Sequence, residues 1–569
     1  MSDTLVSAPP TTGDHDQPPR DTEATLHMCA GVYVDRRFRN LVVRKVHNDA
    51  RHRVAPSYGF DLVPIVRHAW RSWFFDTAYL LALLGILIAS LVFAGALPTA
   101  LVWCTAALLV LLSTFFREIP KVFRLQAQAI SDRWGFHSTT KNRASANRDL
   151  TKGKRRLKAI YIGLLVVLAV PLVVSMLSGA SITASTGPAI LFASTLVACA
   201  IIAGVANRLL LVALARAETL RPHRLTRRER RIDNQQDHPC VIYERPPHRP
   251  HEVSPLDFIE RTDTPSPFLG SGELVSRWPP LTVQLLRHGE GNLQQREFTT
   301  PPFSAYALVE RLRRAVQALG SDPGVENLPG LRVRDRVYIA APDIPVDSEL
   351  VRDGPDELAF RRIANDHRLA GHHFLETSVP IFDGKLMATV LLRVSIKGRS
   401  LSLEVATCAL TRIPDRFLVV DRFGALGAKG FVRSAARSVR SLPADVFRPW
   451  QLLTAPVVLG RAWWARRDRM ATPRRRTIRP LVAVRERIAD DWDNAEQDHI
   501  TISDHVRIVE KRILKATEDF LSEHDVDTSV FEKQATHIIN SGVLSMGNSQ
   551  LTVEQVAQGL AQIRNNNAG

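Results

Sequence analysis

Two stretches without a single charged residue, Thr77 to Phe116 and Ala159 to Asn207, restrict this 569-residue chain more than any other feature. One membrane-crossing helix needs roughly 20 apolar residues, so each stretch is long enough for two. Each breaks near its middle, at "AGALPTA" (Ala94 to Ala100) and "SGASITASTGP" (Ser178 to Pro188), where Gly, Pro and small polar residues interrupt the run. The pattern predicts four transmembrane helices, Thr77 to Leu97, Pro98 to Phe116, Ala159 to Leu177 and Pro188 to Ala206, arranged as hairpins over 77–116 and 159–207. Burial inside a soluble core is the competing reading, but a globular domain seldom needs two such runs flanked by basic clusters. Pro171, inside the third span, predicts a kink.

The net charge of +17 raises nucleic acid as a partner, but the placement of the charge argues against it. Lys and Arg crowd beside the apolar runs, in "KGKRRLK" (Lys152 to Lys158), "RPHRLTRRERR" (Arg221 to Arg231) and "ARRDRMATPRRRTIR" (Ala465 to Arg479). That suits a bilayer with anionic headgroups. Neither hairpin turn carries Lys or Arg, whereas the 117–158 connector is strongly basic. The expectation is a multi-pass protein of the cytoplasmic membrane with both termini and the connector inside.

The remaining chain reads in segments. Residues 1–26 are Pro-, Thr- and Asp-rich and predict a disordered tail, followed by a cytosolic N-terminal segment over 27–76. Within it, "GVYVDRRFRNLVVRKV" (Gly31 to Val46) reads as two short strands or a strand then a helix. "VAPSYGFDLVPIVRHAWRSWFF" offers Ser57, Asp61 and His68 as a catalytic set. Asp61 fits better as a helix N-cap, with Pro64 in the first turn and Trp70 and Trp73 in an interfacial aromatic belt.

A basic juxtamembrane segment over 208–235 leads to a cytosolic α+β domain over 236–445. There "PPFSAYALVERLRRAVQALG" predicts a helix from Ser304 to Gly320, and "RVYIAA" (Arg336 to Ala341) a short strand. "FLETSVPIFDGKLMATVLLRVSIKGRSLSLEVATCAL" alternates with period two around turns at Asp383-Gly384 and Lys397-Gly398-Arg399, predicting a three-stranded antiparallel meander with one wet face. A Trp/Arg-rich interfacial segment over 446–482 and an acidic helical C-terminal module over 483–569 complete the chain.

Few residues carry chemistry. "NDHRLAGHHFLE" holds the densest ionisable cluster, making His372, His373 and Glu376 the catalytic candidates, although adjacent histidines on a strand face opposite ways. Solvated histidines in a helix-to-strand loop are the plainer reading. "FLGSGELVSRW" contains Gly270 and Gly272, whose amides suit a phosphate, but it lacks P-loop spacing and a tight turn is the simpler reading. The five cysteines lie far apart without metal-ligand or disulfide spacing, so neither a metal nor a cofactor is expected. The spans contain no Asp, Glu, Lys or Arg before Arg208, which speaks against transport, while Gly85, Ala89, Gly95 and Ala106 suit self-association.

"RHRVAPSYGFDLVPIVRHAW", "GSGELVSRW", "VLLRVSIKGRSLSLEVATCAL" and the terminal "FLSEHDVDTSVFEKQATHIINSGVLSMGN" together resemble a group of uncharacterised actinobacterial multi-pass membrane proteins with a cytosolic C-terminal region. The resemblance implies the four-span architecture and no activity. The sequence therefore points to a membrane-anchored scaffold, sensor or regulatory module with an unidentified cytosolic protein partner. The alternatives are an oligomeric channel gated by the cytosolic domain and a tethered enzyme acting on a lipid headgroup or nucleotide.

Overall fold

A computed structural model describes residues 22–133, 140–245, 255–258, 267–289, 292–321, 324, 326–344, 349–352, 354–421, 423–467, 480–489, 492 and 496–545. In chain order these form α1 (Glu23–Val34), α2 (Arg36–Leu41), α3 (Leu62–Ala94), α4 (Ala96–Arg133), α5 (Thr140–Ser178), α6 (Ile182–Ala215), α7 (Arg227–Gln236), β1 (Cys240–Tyr243), β2 (Glu273–Arg277) and β3 (Leu281–Gln284). There follow α8 (Leu293–Arg296), α9 (Ala305–Ser321), β4 (Arg332–Ala340), α10 (Glu349–Arg352), α11 (Glu357–Asn365), β5 (Gly371–Ile381), β6 (Leu386–Lys397), β7 (Ser400–Leu410), α12 (Phe423–Asp445), α13 (Ala455–Arg467), α14 (Glu496–Glu523) and α15 (Ser529–Ser545). The chain divides into two compact units, one built from 70–217 and 420–461, the other from 1–69, 218–419 and 462–569.

The first unit holds four helices, α3 to α6, long and apolar enough to cross a membrane. The chain reverses where the sequence breaks: Gly95 alone separates α3 from α4, and residues 179–181 separate α5 from α6. Gly95 has φ +88°, a conformation that costs glycine little and most other residues more. The expected surface helix and first span are one continuous helix from Leu62, because Pro64 lies in the first turn, where it removes no needed donor. Pro171 lies inside α5 without ending it.

Leu83, Leu87, Val102, Ala106, Leu196 and Ala200 form the centre of this unit together with Leu442 of α12. That helix lies along α6. Ser434 donates to the Gly204 carbonyl at 2.8 Å, and a Cβ at Gly204 would stand 2.5 Å from Ser438 Oγ. A segment assigned by charge to the 236–445 region thus packs among the apolar helices. Their outer sides carry bare apolar groups, with Phe93 84% and Met176 88% exposed.

The second unit is built on a curled mixed sheet of order β1-β4-β5-β6-β7-β2, with β3 also pairing with β7. β1 runs parallel to β4, and the other pairs are antiparallel. The β5-β6-β7 meander follows its alternation and its two turns, but neither face is wet. On one side α9, α14 and α15 bury Leu308, Leu312, Val506, Ile513 and Phe531 against Leu375, Val390, Leu392 and Leu403. The other side carries Phe268, Tyr338, Phe374, Leu391 and Cys408, with Tyr58 packed on Met387 and Leu410. Arg393, expected in solvent, is buried and pairs across the strands with Glu404 at 3.1 Å. Helices from the acidic 483–569 segment therefore supply much of one face of the core.

The N-terminal segment differs from expectation. Instead of strands, residues 31–46 lie in α1, α2 and a π-helical turn, Val42–His47. Side chains fix this outcome where propensity does not. Thr22 caps α1, Asp35 caps α2 by accepting from the N–H groups of Arg37 and Phe38, and buried Arg228 donates to the carbonyls of Val46, His47 and Asp49 at the end of the turn. Residues 23–26, assigned to the tail, begin α1, while residues 1–21 lie outside the described residues. Arg228 and Arg221, counted among the basic residues beside the spans, are spent inside the fold, the latter on Asp61 and Asp233.

Candidate ligand-binding site

The Val54 to Asp61 stretch lies in the sheet unit. Asp61 caps α3 as its position predicts: Oδ1 accepts from the Val63 N–H at 2.9 Å and from Gln236 Nε2 at 3.0 Å, and Oδ2 accepts from Arg221 at 2.8 Å. Burial raises its carboxyl above the ordinary range despite these bonds. His68 pairs with the Tyr33 hydroxyl at 3.0 Å, so Ser57, Asp61 and His68 form no catalytic set.

A different cluster forms around Tyr58. In β4, "LRVRDRVYI" alternates so that Arg332, Arg334 and Arg336 share one side while Val333, Asp335 and Val337 share the other. Across the ladder Arg332 faces Ser378 and Arg334 faces Glu376. Same-face neighbours on a strand are about 7 Å apart, where two like charges repel by about 2 kcal/mol at an effective dielectric of about 20. Three consecutive arginines on one face therefore need negative charge nearby.

Glu376 supplies part of it. Its Oε2 lies 2.8 Å from Arg336 Nε, both side chains are 2% exposed, and the Tyr58 hydroxyl donates to the same oxygen at 2.7 Å. Arg336 also donates to the His238 carbonyl at 2.8 Å and lies over the Tyr58 ring. Burial and the adjacent Glu376 charge push the Tyr58 phenol well above its usual range. Burial would lower the Arg336 guanidinium, but Glu376 more than offsets it and holds it charged. Arg334 meets Asp237 at 3.1 Å.

These groups line a cavity of about 370 Å³ whose wall also includes Ser57, Ser378, Phe382 and Met387. That lies at the low end of the range for small-molecule sites, roughly 300–1,000 Å³. Ser57 Oγ is buried without a hydrogen-bond partner. At the rim, Phe382 and Asp383 both have φ +52°, a left-handed conformation that strains a bulky residue, yet Phe382 remains 57% exposed. Asp383 helps hold the turn by accepting from the Glu23 N–H at 3.0 Å. Arg485, 1% exposed, donates to the carbonyls of Tyr58 and Lys385 at 3.0 and 2.6 Å. Neither acceptor carries a formal charge to neutralise it.

The catalytic candidates do not converge. His372, His373 and Glu376 are buried in β5 rather than solvated in a loop, because the strand begins at Gly371. His373 turns to the opposite side from Glu376 and meets Asp335 Oδ1 at 2.8 Å, while Arg313 binds Oδ2 of the same carboxylate. Burial alone would raise the Asp335 carboxyl, but His373 and Arg313 together hold it below its usual value. Among the described residues no group of three or more His, Cys, Asp or Glu is arranged to hold a metal.

Gly270 and Gly272 do present their amides to an anion, and the anion is a side chain. Glu486 Oε1 accepts from both N–H groups, at 2.6 and 3.0 Å. Burial outweighs those bonds and raises the carboxyl from the usual 4.5 to about 7. Gly272 has φ +101°, and a Cβ there would stand 2.0 Å from the Ala409 carbonyl oxygen.

The arginine strip and Tyr58 escaped the sequence reading, which began the strand at Arg336. The signal was present in the R-V-R-D-R-V alternation that begins four positions upstream, at Arg332.

Residues 278–552 match the model of the AbeC-like domain. No curated protein and no solved structure matches the chain. The matched region covers somewhat under half of the chain and includes β4, β5 and the terminal helices, hence the arginine strip and Glu376. It also takes in "VLLRVSIKGRSLSLEVATCAL", whereas Tyr58, Gly270 and Gly272 lie before it.

Proposed function

We propose that this is an integral protein of the cytoplasmic membrane whose four apolar helices anchor a cytosolic sheet domain acting as a ligand-responsive regulatory module. The carrying observation is the contrast between bare apolar helices in one unit and a cavity bordered by three arginines in the other. Apolar side chains as exposed as those of Phe93 and Met176 are stable in lipid and costly in water. The uncharged hairpin turns favour an orientation with both termini inside. Trp450, Trp463 and Trp464 are exposed beside arginines, as in a segment resting among anionic headgroups. The resemblance to uncharacterised actinobacterial membrane proteins belongs to the same reading. Binding is favoured over turnover because Glu376 is held by Arg336 and Tyr58 and does not meet His373.

Reporter fusions and alkaline extraction test this. A fluorescent protein fused after residue 569 should glow in intact cells, an alkaline phosphatase fused at residue 95 or 180 should be active, and carbonate should leave the chain in the membrane pellet. A phosphatase active at the C-terminus, or release by carbonate, overturns the reading.

A further inference from the structure

If α3 to α6 cross the membrane, as proposed above, they also fix the depth of α12. We propose that α12 lies flat in the cytoplasmic headgroup layer and that its basic stripe, Lys429, Arg433, Arg437 and Arg440, binds the phosphates of acidic phospholipids.

The depth of the helix follows from its partners. Asp76 is the last charged residue before the run that begins in α3, and Arg208 is the first after the run that ends in α6. Four crossings return the chain to the side it started from, so both residues mark the same surface. Both meet the α12 segment. Near its start, the Arg208 guanidinium lies 6.0 Å from the centre of the Phe431 ring, and a Cβ at Gly430 would stand 2.5 Å from Arg208 Nη2. Just beyond its end, Arg448 meets Asp76 at 3.2 Å. A helix tied near both ends to the charged limits of two spans runs along the edge of the apolar layer rather than through it. Between these ties, Ser434 and Ser438 close on Gly204, and Leu442 joins the apolar centre.

The face turned away from α6 carries the charge. Lys429, Arg433, Arg437 and Arg440 recur at steps of four and three, which places them on one side of a helix. All four are exposed, residues 423–444 contain no Asp or Glu, and none of the four meets a carboxylate among the described residues. Like charges in such a row repel one another, and an anionic surface relieves the repulsion. Each Lys or Arg beside an acidic leaflet strengthens attachment by about fivefold. Val432, 70% exposed, adds an apolar group to the same outward side, which suits lipid better than a soluble polyanion.

The test uses the full chain in bilayer discs of phosphatidylcholine alone and of phosphatidylcholine with about 30% phosphatidylglycerol. A neutral arginine-selective dicarbonyl is applied and its adducts are mapped by mass spectrometry, with N-acetylarginine in the same discs reporting the activity of the reagent. The acidic lipid should slow modification of Arg433, Arg437 and Arg440 at least about threefold, and about 0.5 M salt should reverse most of the slowing. Arg433→Gln with Arg437→Gln should remove the slowing at Arg440, while melting in phosphatidylcholine discs stays that of the parent.

Equal reactivity of the three arginines in the two kinds of disc overturns the proposal. Greater slowing by a thymidine oligonucleotide added to phosphatidylcholine discs than by phosphatidylglycerol also overturns it and assigns the stripe to a soluble polyanion. Either result with the chain still in the carbonate pellet removes this inference alone, whereas release from the pellet removes the membrane reading on which it rests.

Discussion

The amide pair of Gly270 and Gly272 and the arginine strip of β4 both attract negative charge, yet the fold treats them differently. At the glycines a carboxylate from residue 486 fills the place and ties distant parts of the chain together. At the strip, Glu376 engages Arg336 and Asp237 meets Arg334, and all three arginines line a cavity. Both attractions are met by carboxylates of the chain itself, and the second borders a cavity.

Removing the internal anions should separate the two cases. The largest effect belongs to Glu376→Ala, which leaves the Arg336 charge buried and unanswered and should cost about 3–5 kcal/mol in denaturant unfolding of the detergent-solubilised chain. A loss below about 1 kcal/mol would show that the strip does not need its carboxylate.

Glu486→Gln comes next and acts through pH. With its folded pKa raised to about 7 from 4.5, this group binds more protons folded than unfolded, so its contribution to stability falls as pH rises through that window. The shift corresponds to about 3 kcal/mol between pH 4 and pH 8. The glutamine still accepts from both amides, and its unfolding curve should lose that slope and be the more stable at pH 8. An unchanged slope would remove Glu486 as its source.

Tyr58→Phe, which deletes one donor to Glu376, should cost about 1–2 kcal/mol, and a melting temperature equal to the parent's would argue that the phenol is not needed to settle the carboxylate. Arg332→Gln closes the series with a loss of about 1 kcal/mol or less. A large loss there would make the outer strip structural and erase the contrast.

The elements legible in the sequence were those whose signal is local. Uncharged runs with central breaks gave the four helices, and period-two alternation between two glycine turns gave the meander. Where the deciding partner lies far along the chain, local reading misled. Residues 31–46 look like strands because they are rich in valine, but Asp35 and the distant Arg228 cap them as helices. Arg393 looks solvated because its covering lies outside the meander. Gly270 and Gly272 read more simply as a tight turn than as a phosphate site, and the carboxylate their amides meet, more than two hundred residues downstream, was not legible. His373 was legible as a member of an ionisable cluster but not as the partner of Asp335 on another strand.

The covering of the meander by α14 and α15 also sets a timetable for synthesis. The strands carrying Leu375, Val390 and Leu403 leave the ribosome well before the residues that cover them, 502–538. Helix α9 is made earlier and covers part of that face, and at about 5–20 residues per second the rest stays uncovered for roughly 5 to 25 seconds. During that interval chaperones and neighbouring nascent chains compete for the surface. A translation product that stops before residue 496 is consequently a target for aggregation and proteolysis rather than a smaller working domain.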